Sequence, residues 1–204
     1  MPTPEPIRRT FATRALHGAL LLAVLWQLLG SNFIERPRVA QPGNAMYELH
    51  EVGGLATLGL VVAFWLWSLL RRRETSFGAL FPWLSGSRLK AVRTDLGRHW
   101  TELKHLRLPG GEAETPLASA VHGLGLLAAL FMGASGAWLY TLAIPGGIVL
   151  ELHKIVANLM WAYVVGHAGL AVLHQLTGHR MLQRMFFERP GGDARRRERT
   201  EDTP

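Results

Sequence analysis

The stretch ELHKIVANLMWAYVVGHAGLAVLHQ, residues 151–175, carries three histidines in a helical pattern without a charged residue after Lys154. His153 and His167 are fourteen residues apart. In an α-helix that spacing is four turns less about 40°, so both rings leave one face, about 21 Å apart along the axis. Because imidazole is costly in hydrocarbon unless a partner or a function holds it, the spacing predicts functional side chains at two depths of one membrane helix.

Four segments of the chain lack Asp, Glu, Lys and Arg: residues 15–34, 52–70, 115–150 and 155–179. A helix crosses about 30 Å of hydrocarbon with about 20 residues, and Pro145-Gly146-Gly147 divides the long third segment. A soluble bundle is disfavoured because the remaining segments are too short and too charged to cover four apolar helices. The sequence therefore predicts an all-α integral membrane four-helix bundle, with spans at about 14–34, 50–70, 117–142 and 148–174.

The net charge of +7 follows from 22 Lys and Arg residues against 15 Asp and Glu. The basic residues gather before the first span, between the second and third, and after the fourth. Only Arg36, Arg38 and Lys154 fall on the other side. This positive-inside bias predicts a bacterial inner-membrane protein with both termini cytoplasmic. Since topology explains the charge, we expect membrane lipid as a partner and no nucleic acid.

Outside the spans, the sequence predicts a cytoplasmic tail at 1–13, a cytoplasmic loop at 71–116 and a charged, disordered tail at 181–204. The membrane domain covers 14–180. Within the loop, apolar residues recur every three or four positions between charged ones: Leu89, Val92, Leu96, Trp100, Leu103 and Leu106. This pattern predicts an amphipathic helix at 87–106 that lies on the membrane surface or docks a partner.

Cysteine is absent, which excludes disulfides, thiolate-bound iron–sulfur clusters and covalently attached c-type haem. A haem in this chain would therefore be held by histidine or methionine. We expect that the first residues do not form a cleavable signal, because the basic start leads into an apolar span too long for a signal peptide and no small-residue cleavage site follows.

The predicted topology places the intramembrane histidines at two levels. His17 and His167 belong to the cytoplasmic half, and His50 and His153 to the outer half. Two levels with two histidines each are what two bis-imidazole haems need. We therefore predict that His17 with His167, and His50 with His153, ligate two haem irons. Glycines near these positions leave room for a flat porphyrin, although close helix packing also uses small residues: Gly18, Gly53, Gly54, Gly166 and Gly169.

Two further histidines compete for these roles. His174 lies seven residues after His167 on nearly the same face, but its pairing with His17 would separate the two ligands of the fourth span by about 31 Å. His167 is therefore preferred. His122 in the third span could replace His17, but is expected instead to bond a haem propionate or to line a ligand pocket.

Several polar side chains are candidates for contacts around the haems. Arg14, His122 and His174 are predicted propionate or quinone contacts on the cytoplasmic side. Arg38 and Lys154 are predicted propionate contacts on the outer side, with snorkelling to the interface as the alternative for the cations. The remaining histidines are expected to be exposed or interfacial: His99, His105 and His179.

The motifs LHG at 16–18, ELHEVGG at 48–54 and the stretch 151–175 resemble the bacterial cytochrome b561 family. That family is related to the b-type cytochrome subunits of nickel–iron hydrogenases and formate dehydrogenases. His122, followed fourteen residues later by Gly136, also fits the family. The resemblance covers all four spans and implies a four-helix bundle with two b haems, the ligands named above and a quinone as redox partner. The segment TLAIPGGIVL (141–150) is shorter, and the cytoplasmic loop longer, than in the stand-alone bacterial members.

The leading hypothesis is a di-haem cytochrome b that carries electrons between a redox partner and the membrane quinone pool. One alternative is a superoxide:quinone oxidoreductase that acts alone, although the mixed charges of the outer surface would steer an anion poorly. Another is a membrane anchor whose loop helix docks a soluble dehydrogenase or a cytochrome c. Whether the chain is itself an enzyme, and whether it forms a homodimer, stay open at this stage.

Overall fold

The computed structural model describes residues 9–71, 74–105, 115–178 and 181–186. Those residues form helices and connecting turns, with no strand among them. The helices are α1 (Phe11–Gly30), α2 (Ala45–Leu70), α3 (Phe77–Leu80), α4 (Gly86–Lys104), α5 (Pro116–Tyr140), α6 (Gly147–Leu176) and α7 (Met181–Phe186).

Four of these helices, α1, α2, α5 and α6, are long and apolar enough to cross a membrane. This confirms the predicted all-α four-helix membrane bundle. The observed α2 begins five residues before the predicted span because Asn44 caps it: the Asn44 side chain accepts a hydrogen bond from Tyr47 N–H at 2.9 Å. The same side chain donates to the Phe33 carbonyl at 2.9 Å, which ties the connection after α1 to the start of α2.

The long helices pack in the order α1, α2, α5, α6. The apolar core lies between the first three, around Leu20 of α1 with Val61 and Phe64 of α2. In contrast, α6 packs on α5 and buries only Leu150 and Met160 among its own residues. In the described parts of the chain its approach to α1 and α2 is marginal. One side of α6 therefore faces α1 and α2 with few close backbone approaches.

The connection between α2 and α5 is more ordered than its sequence suggests. The amphipathic helix is present as α4, whereas Leu106 and Pro109–Gly111 lie outside the described residues. Sequence analysis missed α3, whose Leu80 carbonyl lies directly against Gly123 of α5. Phe81, which follows α3, stacks on Trp65 with ring centroids 4.8 Å apart. A four-residue helix is too short to show a periodic pattern, so local sequence could not reveal it.

Two buried carboxylates fasten this connection to the bundle, and the first is Glu74. It accepts hydrogen bonds from Thr10 N–H at 2.8 Å and from the Thr13 hydroxyl at 2.7 Å. Burial alone would raise the pKa of Glu74, but these bonds and the charge of Arg71 hold it below its ordinary value. Trp67 of α2 donates its indole N–H to Thr13 at 2.8 Å. Together these contacts fix the start of α1 against the end of α2.

The second buried carboxylate is Asp95 on the inner side of α4. It accepts from the backbone N–H of Leu117 at 3.0 Å, in the first turn of α5. Burial alone would raise the pKa of Asp95, but the bonds from Leu117, Thr115 and Arg98 and the nearby His99 hold it below its ordinary value. Because the first N–H groups of a helix lack intrahelical partners, Asp95 joins α4 to α5 through a capping contact.

Candidate functional site

The four histidines that sequence analysis paired face one another between α6 and the helices α1 and α2. The ring centroids of His17 on α1 and His167 on α6 are 6.2 Å apart, with an interplanar angle of 59°. Those of His50 on α2 and His153 on α6 are 6.5 Å apart, at 84°. We call His17 and His167 the proximal pair, because they lie on the side of the bundle that carries α4, and His50 and His153 the distal pair.

These separations suit a metal ion between two imidazoles. A ring nitrogen binds a first-row metal at about 2 Å, so two rings on opposite sides of one ion have centroids about 6 Å apart. In the described part of the chain, no group of three or more His, Cys, Asp or Glu side chains could hold a metal ion. Each pair offers two imidazole rings, a donor set that would fit a haem.

The distal ring His153 has a serine partner. Ser135 of α5 lies 2.7 Å from His153 Nδ1, and also 2.7 Å from the Phe131 carbonyl. Since a carbonyl only accepts, the single Ser135 hydroxyl proton goes to Phe131, and Ser135 accepts from His153 Nδ1–H. This leaves His153 Nε2 as the nitrogen with a free lone pair, as a metal ligand requires.

Polar atoms near the distal pair lack partners among the described residues. They are His50 Nδ1 and both amide atoms of Gln27, all fully buried. Gln27 lies on α1 directly beside Gly53, one turn after His50, where a Cβ would meet its amide nitrogen. Buried polar groups without hydrogen bonds cost free energy. A cofactor with its own polar substituents would suit this environment better than purely apolar side chains would.

The proximal ring His167 has an aromatic environment instead. Tyr163, one turn earlier on α6, stacks on it with centroids 5.4 Å apart and an interplanar angle of 8°. Gly125 of α5 makes room for Tyr163, because a Cβ at that position would collide with the phenol ring. His122 meets His167 edge to face at 5.0 Å. Its Nδ1 lies 2.7 Å from the Ala118 carbonyl, so it donates there and its Nε2 faces away from its own helix backbone.

The other candidate contacts are placed as follows. Arg14 lies one turn before His17 on α1, with a buried Nε. His174 lies in the last turn of α6, two turns beyond His167. Lys154 donates to Glu151 at 2.8 Å, an ion pair that competes with the predicted propionate contact. Arg38 is exposed in the turn between α1 and α2.

Sequence analysis missed Ser135, Tyr163 and Gln27. The spacing of Tyr163 four residues before His167 was an available signal, since such residues share a helix face. Ser135 gave no signal, because a serine in an apolar helix usually bonds its own backbone. Its partner His153 lies on a different helix and is found only from the packing of α5 on α6.

Comparisons with known proteins agree with this arrangement. The family model described as prokaryotic cytochrome b561 matches residues 8–188, a range that contains all four long helices and both histidine pairs. Comparison with curated proteins found no match, and neither did comparison with solved structures.

Proposed function

We propose, since the chain belongs to the prokaryotic cytochrome b561 family, that it transfers electrons across a bacterial membrane with two b-type haems, one for each histidine pair. The family makes it a transmembrane b-type cytochrome of electron transfer. The observation that carries the two-haem proposal is that a histidine ring of α6 faces one of α1 and another faces one of α2. Their ring centroids are 6.2 Å and 6.5 Å apart.

In this proposal His17 and His167 hold the proximal haem, and His50 and His153 hold the distal haem. When bound, a haem supplies an iron that takes up and releases one electron. With both histidines of a pair as its ligands, a haem iron would have no open position for a substrate. His153 and His167 are about 21 Å apart along the axis of α6, so one haem would lie in each half of the membrane.

The surrounding residues orient the ligands. Ser135 holds His153 in the tautomer that presents Nε2, and Tyr163 keeps the ring of His167 in one plane by stacking on it. The Glu74 network fixes Thr13, one turn before His17 on α1. Ligand rings that are preset by neighbours lose less entropy when a cofactor binds, so these contacts favour haem binding and uniform geometry.

We place the quinone at the proximal side. A quinone that gains electrons must also gain protons, so its site needs an apolar surface and a group that exchanges protons. His122 offers its Nε2 beside His167, and Arg14 and His174 belong to the same half of the bundle. The basic residues on this side support a cytoplasmic location for both termini. The electrons that the quinone gains or loses are exchanged through the chain with a second protein. That protein is a soluble redox partner on the opposite side of the membrane or a dehydrogenase subunit.

The proposal is tested first by a haem count on the purified full chain. We expect two haems per polypeptide and the reduced-minus-oxidised spectrum of a low-spin b-type cytochrome. A colourless protein after expression with ample haem supply would overturn the assignment of a b-type cytochrome, and a count of one would overturn the two-haem arrangement.

Transmembrane transfer is tested in sealed vesicles that contain the protein and trapped ferricyanide. An impermeant reductant added outside should reduce the trapped ferricyanide only when the cytochrome is present. Protein-free vesicles, and vesicles with a variant in which His153 is replaced by Ala, are the controls. Equal rates in all three preparations would contradict transfer through this chain.

A further inference from the structure

The amphipathic helix α4 carries an apolar stripe that nothing in the described chain covers. Leu96, Trp100 and Leu103 follow one another at spacings of four and three residues, so they share one face of the helix. Their side chains are 55%, 60% and 52% exposed. This stripe adjoins, but differs from, the face through which Asp95 contacts α5.

The contacts of α4 with α5 show which way the stripe points. Thr94 and Arg98 line a groove with Pro116, the first residue of α5. Val92 lines a second groove with both Pro116 and Ser119, which is one turn further along α5 into the membrane span. The side of α4 that carries Thr94 is therefore nearer to the water, and the side that carries Val92 is nearer to the membrane.

At 100° per residue, the stripe comes next around the helix after Val92. Leu96, Trp100 and Leu103 consequently point to the membrane side of α4. Thr94 and Thr101 lie on the opposite, exposed face. An apolar stripe aimed at the bilayer and a polar face aimed away from it are the arrangement of a helix that lies in a membrane interface.

The charges beside the stripe indicate the lipid class. Arg93 and Lys104 are exposed on its outer flank, and the Lys104 ammonium lies 5.5 Å from the ring centroid of Trp100. The acidic Asp95 is already engaged by Leu117 and Arg98 on the inner side. Basic residues at this level attract anionic lipid headgroups.

We propose that α4 is embedded in the interface of the adjacent leaflet, with Leu96, Trp100 and Leu103 among the acyl chains and Arg93 and Lys104 at anionic headgroups. The capping contact from Asp95 holds the helix at this depth against α5. A lipid surface rather than a docked protein covers the stripe. This inference stands independently of how the haems are bound.

The chain has no cysteine, so single cysteines can carry a spin label without a background. We would label Leu103→Cys on the stripe and Thr101→Cys on the opposite face as its matched control. Both full-length proteins are reconstituted with haem in vesicles of phosphatidylcholine and phosphatidylglycerol. The label at 103 should collide readily with oxygen and be protected from a water-soluble nickel chelate, and the label at 101 should do the reverse. Equal access of the chelate to both labels would overturn the proposal and would indicate that a protein partner, not lipid, covers the stripe.

The lipid preference is tested with the same label at 103 in vesicles of phosphatidylcholine alone. Without phosphatidylglycerol the label should become more accessible to the chelate, and the double change Arg93→Gln and Lys104→Gln should abolish this dependence on lipid composition. The haem content serves as the folding control. Protection that is identical in the two lipid mixtures would refute the role of anionic headgroups.

Discussion

The proximal and distal histidine pairs have nearly the same ring separation, 6.2 Å and 6.5 Å, but very different surroundings. The distal ring His153 donates a hydrogen bond to Ser135. The proximal ring His167 is instead stacked on Tyr163 and flanked by His122. The two pairs are therefore alike in ring separation, and the differences lie in the residues that contact them.

In the proposed two-haem arrangement, this difference would give the two haems different reduction potentials. A ligand imidazole that donates its other N–H becomes more basic and stabilises the oxidised metal. Aromatic stacking supplies no such proton acceptor. We therefore expect the distal haem to have the lower reduction potential of the two, so that electrons move more easily from the distal to the proximal site.

The largest effect is expected from loss of a ligand. His153→Ala should remove the distal haem and His167→Ala the proximal one, so that each variant retains about one haem per polypeptide, because one imidazole holds a haem much more weakly than two. A haem count with potentiometric titration measures this. His105→Ala, at an exposed residue directly after α4, is the control. Retention of both haems in either ligand variant would refute the pairing.

A smaller effect is expected from the aromatic support of the proximal pair. Gly125→Ala places a methyl group against the Tyr163 ring and should lower the proximal haem occupancy while the distal haem is retained. Gly59→Ala is the matched control, since no atom lies near its added Cβ. If the two glycine variants bind haem equally well, Tyr163 does not support the proximal ligand.

Removal of the hydrogen bond at the distal pair should shift a reduction potential without loss of haem. Ser135→Ala removes the acceptor of His153 Nδ1–H and should raise the potential of the distal haem alone. A neutral hydrogen bond contributes about 1 kcal/mol, so the shift is at most on the order of 40 mV for a one-electron couple. Ser135→Thr keeps the hydroxyl and should restore most of the original value. A shift of both haems, or of neither, would contradict the assigned role.

A last prediction concerns the stability of the fold in acid rather than the haems, at the proximal side where Glu74 fixes the start of α1. Because the pKa of Glu74 is lowered in the folded protein, its contribution is present above the ordinary carboxyl pKa and is lost as the pH falls through the lowered value. Glu74→Gln should therefore decrease the melting temperature at neutral pH, by an amount equivalent to about 1–3 kcal/mol.

The difference between wild type and the Glu74→Gln variant should shrink in acid, as the wild-type carboxylate takes up its proton. Melting curves followed at the haem absorbance over a pH series would show this convergence. The control is Glu48→Gln at an exposed carboxylate at the start of α2. This change should leave the melting temperature unaltered across the pH series. A constant difference at every pH would mean that the charge of Glu74 is not what stabilises this end of the bundle.

Much of the fold was accessible from local sequence. Uncharged segments long enough to cross a bilayer predicted four membrane-spanning helices. The described part of the chain has four helices of that length and apolar composition. Fixed helical rise and rotation, with alternating direction, predicted which histidines share a level. The structure places those same histidines opposite one another, and their role as ligands stays a prediction that the haem counts above will test.

The residues around the histidines were beyond local analysis. Ser135 and Gly125 gain their roles from the rotation of α5 relative to α6, which depends on the packing of many side chains. The same holds for Asp95, since the amphipathic pattern predicted a surface or docking helix and did not indicate which of its residues would contact α5. The face that meets α5 carries a buried carboxylate at a helix start.

The sequence by itself determined the number of spans, the basic side of the bundle and the two levels of histidine, because hydrophobic length, charge placement and helical period act along one chain. Only the tertiary structure decided which neighbours each ring has, how α3 and α4 close one end of the bundle, and where α6 stands apart from α1 and α2. Those features depend on contacts between side chains that are distant in sequence, and no local period encodes them.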